Sequence, residues 1–312
     1  MGRRAADLVP RALTRGAAIR PAAPADAAAI VELGRAIDRD QIATEASFRA
    51  LLERTAPATT ERLVAEIDSR VIAWAPSGTY ASGSGWFWIG VDASCRRRGI
   101  GVELYRRIES RLADLGATRL ETTPNDGEGR AFLLARGFEV ANVMRASELD
   151  PRTVPAPTTR ADVGVVPLGA ALEHAHALFR LYAEARDDVP SDSPRSAWTF
   201  DEWRAETIDL PLIDLDASVV VLEGGEPVAL AWLCSDREGH RAEMLMTATR
   251  RDRRGRGLAT LAKAASARRA AELGITRILT GNDRGNAPML AVNRKLGFTA
   301  TAVVESLAKR LA

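Results

Sequence analysis

Two short runs rich in arginine and glycine carry the chemistry of this sequence, Arg96-Arg97-Arg98-Gly99-Ile100-Gly101 and Arg254-Gly255-Arg256-Gly257-Leu258-Ala259. Each has an Arg, two residues, a Gly, one residue, then a Gly or Ala. Each lies where a strand-like apolar run gives way to a helical period. The first turn of a helix leaves N–H groups without intrahelical acceptors and carries the positive end of the helix dipole. Glycine lets the backbone approach a ligand closely, and flanking arginines add charge-assisted bonds. The expected ligand is a phosphate or diphosphate resting on a helix N-terminus. A Walker A loop needs Gly-Lys-Ser/Thr, which neither run holds. Leu104 and Thr260 stand where a dinucleotide-binding fingerprint needs its third glycine.

The elements that must position these turns occur twice. Gly99 and Gly257 are 158 positions apart, and Phe138 and Phe298 are 160 apart, close to half of the 312 residues. Each copy reads as strand, helix, helix, hairpin, strand, Arg/Gly turn, long helix, short strand, helix and a final strand after Gly-Phe. In copy one the hairpin strands are Leu63–Ile67 and Val71–Ala75 around Asp68-Ser69-Arg70. The strand before the turn is Gly85–Val91, and the helix after it is Gly99–Leu115. In copy two the corresponding segments are Ser218–Leu222, Val228–Leu233, Met244–Ala248 and Gly257–Leu273, with Gly224-Gly225 as a strong hairpin signal. Hairpins give antiparallel strands, and the strand–helix–strand unit demands a parallel pair with a right-handed crossover. The expected class is therefore α/β, an α+β mixed sheet with helices, formed twice. The expected division is a flexible lead-in over 1–16, a domain over 17–149, an extended Pro-rich linker over 150–162, and a second domain over 163–312.

Composition narrows the function classes. The chain is 46% hydrophobic and 27% charged, with 24 Gly, 15 Pro and 2 Cys, which excludes collagen-like, disordered and disulfide-scaffold proteins. No apolar run approaches the ~18–20 residues that span a bilayer. A net charge of +2 gives little whole-molecule attraction to nucleic acid or membrane, so neither is an expected partner. Cys95 and Cys234 carry no metal-ligand spacing, no metal is expected, and a reduced, cytoplasmic setting fits. Arg3-Arg4 precede no apolar signal core, and Ala6 stands where a myristoylation motif needs Ser or Thr. Only three lysines, Lys263, Lys295 and Lys309, stand against 40 arginines, a bias read as codon usage.

Both halves resemble the GCN5-related N-acetyltransferase (GNAT) family. The resemblance rests on VDASCRRRGIG and TRRDRRGRGLA, which are similar to that family's acyl-CoA loop, and on RAFLLARGF and NAPMLAVNRKLGF, which are similar to its later helix and strand. It covers most of each half, and the paired layout is similar to that of mycothiol synthase-like proteins. The resemblance implies two tandem GNAT folds, each a mixed sheet splayed between its fourth and fifth strands. Acetyl-CoA (coenzyme A) is the implied cofactor. Its diphosphate would rest on Arg96, Arg97, Arg98, Gly99, Ile100, Gly101 and Val102 in copy one. In copy two it would rest on Arg254, Gly255, Arg256, Gly257, Leu258, Ala259 and Thr260. Pantetheine and the acetyl group would lie on the backbone of Ile89, Gly90 and Val91, and of Thr247, Ala248 and Thr249, where an N–H stabilises the developing oxyanion. Asn282 and Asn286 would bond pantetheine or substrate, with turn and capping roles as the alternative.

The same resemblance assigns catalytic positions. The family often uses a Glu or Asp on the fourth strand as base and a Tyr five residues before the Phe of Gly-Phe as acid. Alignment by the turns pairs Glu243 with Gly85, so only copy two offers a carboxylate. The Tyr position holds Leu133 in copy one and Asn293 in copy two. Asn293 and Glu243 are the candidate catalytic residues, although an amide cannot replace a phenol as acid. Residues 163–312 are the expected catalytic half, and a primary amine of a small molecule is the expected acceptor. The alternatives are a catalytically silent acyl-CoA-binding or sensing protein, and a protein N-acetyltransferase. A monomer or homodimer is expected. His174 and His176 read as surface residues, Trp86 and Trp88 as core, and Trp198, Phe200 and Trp203 as an aromatic wall for the acceptor.

Overall fold

The computed structural model describes residues 16–80, 82–157, 161–188 and 198–311, so most of the expected lead-in lies outside the described residues. The chain forms two compact units. One comprises Met1–Gln41, Phe48–Ala141 and Ser306–Ala312, and the other Ile42–Ser47 and Asn142–Glu305.

In chain order the first half supplies β1 (Ala18–Pro21), α1 (Ala27–Ile37), α2 (Glu45–Glu53), β2 (Thr60–Ile67) and β3 (Arg70–Thr79). Then follow β4 (Ser84–Phe87), β5 (Gly90–Val91), α3 (Ile100–Asp114), β6 (Arg119–Thr122), α4 (Gly127–Leu134) and β7 (Glu139–Leu149). The second half supplies β8 (Gly164–Pro167), α5 (Ala175–Asp188), α6 (Phe200–Glu206), β9 (Val219–Glu223) and β10 (Glu226–Asp236). It continues with β11 (Arg241–Thr249), α7 (Leu258–Glu272), β12 (Arg277–Asp283), α8 (Ala287–Leu296) and β13 (Thr299–Arg310). The sheet of the first unit runs β1-β2-β3-β4-β6, with β5 also on β3; that of the second runs β8-β9-β10-β11-β12-β7. In each sheet one pair is parallel, β4 with β6 and β11 with β12.

The compact units exchange their last strands relative to the sequence repeat. Met144–Leu149 of β7 pair with β12, and Leu307–Arg310 of β13 pair with β6. Burial fixes the exchange: Leu149 is buried in the core containing α7, and Leu307 in the core containing α3.

Local chemistry explains the elements. Both hairpins have two-residue loops with both residues at positive φ, Asp68 and Ser69 in one and Gly224 and Gly225 in the other. Those are the mirror-image turns that match strand twist. Helix α3 buries Ile100, Leu104, Tyr105, Ile108 and Leu112, an apolar stripe at helical spacing. Helix α7 is alanine-rich and buried on most of its surface, including Lys263 and Ser266. The strand expected over 85–91 breaks at Trp88-Ile89, because Trp88 lies opposite Pro76. Trp88 donates to the Pro76 carbonyl, but proline has no N–H to return. The Pro-rich connector is not extended throughout. Asp150 accepts from the Arg152 amide and starts a 3-10 turn, and Val154 beyond it is buried in the core containing α7. No helix among the described residues is long and apolar enough to cross a membrane.

Leu307 is fully buried in the core of the first unit, although its chain neighbours belong to the second half. Leu307→Ala should cost about 2–5 kcal/mol on denaturant unfolding, as a buried leucine does. A cost below about 1 kcal/mol would show that β13 does not complete the first core.

Candidate active site

Two glycines with left-handed backbone, Gly99 (φ 83°) and Gly257 (φ 77°), start helices α3 and α7. No side chain caps either N-terminus, so the first-turn amides are available to a ligand. Two residues earlier Arg97 (φ 61°) and Gly255 (φ 75°) take the same handed conformation, so each turn bends left twice. Each turn is pinned by an arginine. Arg96 Nε donates to the Val91 carbonyl and Arg254 Nε to the Thr249 carbonyl, 3.2 Å in both cases. Arg98 donates to the Ser94 carbonyl, and the other guanidinium contacts are to carboxylates. Arg96 pairs with Asp126 and Glu128, Arg97 with Glu128, Arg254 with Asp188, and Arg256 with Asp162 and Glu223. Arg256 and Arg253 hold Glu223 below the usual carboxylate range, and Arg251 and Arg254 do the same for Asp188. These are solvent-facing pairs, weak enough for a diphosphate to replace.

The strand before each turn parts from its parallel neighbour. Ser84–Trp86 pair with Arg119–Glu121, and Arg241–Glu243 with Arg277–Leu279, and both pairings stop there. β11 stays on β10 as far as Thr249. Arg250 N donates to Val228 O, which sets the alternation of that antiparallel ladder. Ala248 spends its amide on β10, whereas Thr247 and Thr249 turn theirs toward the gap left by β12. Asp92 N on Ile72 O gives the same result in the first unit: Gly90 pairs with β3, and Ile89 and Val91 face the gap. A threonine stitches each apex. Thr122 Oγ1 donates to Phe87 O at 2.7 Å, and Thr280 Oγ1 to Met244 O at 3.2 Å.

In the first unit the gap is a cleft of about 190 Å³, open to solvent. Its walls include Phe87, Ile89, Val91, Ile100, Phe132 and Leu133. Asn125 Nδ2 donates across it to the Ile89 carbonyl at 2.9 Å. Val102, Gly101, Arg96 and Arg97 also line it, so the turn opens onto the cleft.

The second unit differs at its splayed strand. Trp232 faces Met246 but Leu233 faces Met244, so Leu245 is an extra residue in a β-bulge. The sequence pairing of Glu243 with Gly85 is corrected by this insertion. Glu243 stands opposite Leu279 on β12, as Trp86 stands opposite Glu121 on β6, and Ala242 takes the place of Gly85. Ala242 and Met244 face the α7 core, while Met246 and Ala248 face the α5/α6 cluster. The half-buried Glu243 therefore points to the α5/α6 side, across from Cys234. Burial and the Glu243 charge push the Cys234 thiol up, which makes it inert.

Asn293 is not exposed to donate to a ligand as an isolated amide. It is buried, accepts from Lys263 Nζ at 2.6 Å, and donates to Asn282 Oδ1 at 2.6 Å. Lys263 is 1% exposed, has no carboxylate partner among the described residues, and sits 4.6 Å from the Phe298 ring. Burial pushes its ammonium down to about 7. Asn286 caps α8, accepting from the Met289 amide at 3.2 Å. In the first unit the place of Lys263 is taken by Tyr105, packed among Phe87, Phe132 and Phe138. Sequence reasoning passed over Lys263. The available signal was a rare lysine inside the apolar run Leu258–Ala267.

The aromatic cluster of the second unit divides. Trp203 is fully buried against Phe179, Tyr182 and Trp232, so it belongs to the core and not to an acceptor wall. Trp198 stacks on Tyr182, and Phe200 on His176, both half-buried on the same face.

A model of the Acetyltransferase (GNAT) family matches residues 31–138 and 175–298. No curated protein matches the chain. A solved tandem GNAT protein from the clavulanic acid biosynthesis pathway is 19% identical. The match covers 94% of this chain and 98% of that one, with a TM-score of 0.74. A GCN5-related N-acetyltransferase from Sphaerobacter thermophilus is 18% identical over 94% and 95% of the two chains, with a TM-score of 0.68. Another, from Kribbella flavida, is 17% identical over 94% and 97%, with a TM-score of 0.51. At these identities the likeness is one of fold.

Lys263 makes a pH-dependent prediction. Its folded-state pKa of about 7 lies below its ordinary 10.5, so the unfolded chain binds more protons between those values and stability rises with pH there. Relative to Lys263→Met, the native protein should gain on the order of 2–3 kcal/mol between about pH 6 and about pH 9. Denaturant unfolding at both pH values measures the difference, and equal gains in the two proteins would mean that Lys263 stays charged throughout.

Proposed function

The chain belongs to the acetyltransferase (GNAT) family, and from that premise we propose that it transfers an acetyl group from acetyl-CoA to the primary amine of a small molecule, in its C-terminal unit. The observation that carries the assignment is the Leu245 bulge, which turns Glu243 to the α5/α6 side of the splayed strand. The first unit has Trp86 at that register position and no titratable group from Trp86 to Val91.

The donor set fits the implied ligand. Uncapped helix amides and glycines at 255 and 257 suit a diphosphate, and the gap-facing amides of Thr247 and Thr249 suit a chain of amide carbonyls. Acetyl-CoA, when bound, supplies an activated acetyl thioester. Arg254, Arg256 and the first amides of α7 would hold the diphosphate, the arginines giving up their carboxylate partners to do so. A gap-facing amide of β11 would stabilise negative charge on the acetyl carbonyl oxygen. Glu243 takes the amine's proton, directly or through a water. Trp198 and Phe200 flank the acceptor side.

A second reading has its own observation. The first unit holds an open cleft of about 190 Å³ onto which its turn opens, yet that cleft is lined by Leu133 and Phe132 where an acid would stand. It suits acyl-CoA binding without turnover.

Thiol release with acetyl-CoA and a panel of small amines tests the assignment. Glu243→Gln should lower kcat about 10²–10⁴-fold with little change in the acetyl-CoA KM. Gly257→Trp, which forces a bulky side chain into left-handed backbone at the turn, should abolish turnover, while Gly99→Trp should leave it measurable. The opposite order would move catalysis to the N-terminal unit, and binding without turnover for every amine would favour the silent reading.

A further inference from the structure

The C-terminal unit buries an amine that no carboxylate among the described residues faces. Lys263 Nζ is 1% exposed, its one hydrogen bond is to Asn293 Oδ1, and no carboxylate faces it among the described residues. The Phe298 ring face at 4.6 Å offers partial compensation only. A buried ammonium without a counter-charge is expensive, which is why its proton is held loosely. Such a group is retained at a loss in stability, and the loss is recovered when a ligand brings negative charge near it.

The hydrogen bonds say where that charge would sit. An ammonium can only donate, so Asn293 must turn its oxygen to Lys263. Its Nδ2 is then committed toward Asn282 Oδ1, and Asn282 in turn must present Nδ2 outward. The Asn282 Nδ2 and the second N–H of Asn293 have no partner among the described residues. The chain from Lys263 to Asn282 thus ends in N–H donors polarised by a cation behind them. The repeat locates these donors. Leu133 and Pro124, which occupy the corresponding positions of the first unit, line its cleft, whereas Tyr105, in the place of Lys263, lies behind the wall.

We propose that Lys263, acting through Asn293 and Asn282, is a positioning residue that stabilises negative charge on the coenzyme A sulfur in the C-terminal cleft, in place of a phenol acid. It rests on the acetyl-transfer reading of that cleft. As the C–N bond forms and the C–S bond breaks, the C–S electron pair ends on sulfur, and the amine's proton leaves to Glu243. A donor array aimed at the sulfur holds that pair until solvent supplies a proton. Lys263 does not give its proton to the sulfur, and the negative sulfur in turn tightens the lysine's hold on that proton.

The prediction is read without turnover, from the ionisation of the bound thiol. Coenzyme A is titrated in complex with the full chain carrying Gly99→Trp, which closes the first turn, and thiolate formation is followed by ultraviolet absorbance. With Lys263 present the bound thiol should ionise at least about one pH unit below the ~8.5 of a free thiol. Lys263→Met should return it to the free value. Should that variant not fold, Asn293→Leu, which installs the residue of the first unit, should give the same return. An unchanged thiol pKa in a folded variant that still binds coenzyme A overturns the proposal and makes Lys263 a core residue. If coenzyme A fails to bind the C-terminal unit at all, the acetyl-transfer reading falls with it, and the two failures are told apart by the binding signal.

Discussion

Both units depend on one local constraint, a helix whose first amides must stay uncapped while the chain enters it from a strand. A side-chain cap would be worth about 1 kcal/mol and is the usual solution at a helix start. Here it is forgone twice. The chain instead bends left at Gly99 and at Gly257, conformations that cost an L side chain roughly 1–2 kcal/mol and glycine little. Arg96 and Arg254 then lock the bend by bonding the strand-end carbonyls of Val91 and Thr249. The stability forgone at the caps leaves a ready anion site at each turn. Arg97 at positive φ shows that the first unit accepts strain at a position where the second has Gly255.

The two units share this turn and the splayed strand beside it, and they differ in what chemistry lines the gap. In the first, Tyr105, Phe87, Phe132 and Phe138 fill the space behind the wall with interlocking rings, and Asn125 occupies a cleft-facing carbonyl. In the second, an inserted Leu245 re-aims the strand, a carboxylate appears at Glu243, and Lys263, Asn293 and Asn282 replace the aromatic packing with a polar chain. A duplicated fold can keep one ligand-binding geometry twice while placing different side chains behind it.

The elements were largely legible in the sequence because their signals are local. Asp68-Ser69 and Gly224-Gly225 announce hairpins, the Arg/Gly runs announce the turns, and the spacing of Ile100, Leu104 and Ile108 announces a buried helix face. What escaped was non-local. The exchange of β7 and β13 depends on which core Leu149 and Leu307 enter, and both segments read as plain strands. The Leu245 bulge displaced Glu243 by one register position, because counting back from a turn assumes an unbroken ladder. The break at Trp88 needed Pro76 to be known as its cross-strand neighbour. Lys263 was passed over because a single lysine in a helix reads as surface until its surroundings are known. Asn286 met its alternative reading as a cap, while Asn293 proved to be half of a buried network.

The most direct measurement of the central claim compares binding of coenzyme A with that of pantetheine, the same arm without the diphosphate and the 3′-phosphoadenosine it carries, by calorimetry on the intact chain. If exposed helix amides and the arginines of the turns hold the diphosphate, coenzyme A should bind about 100-fold more tightly or better, the worth of one or two charge-assisted hydrogen bonds. Equal affinities for the two ligands would contradict it, because the turns would then contribute nothing to recognition.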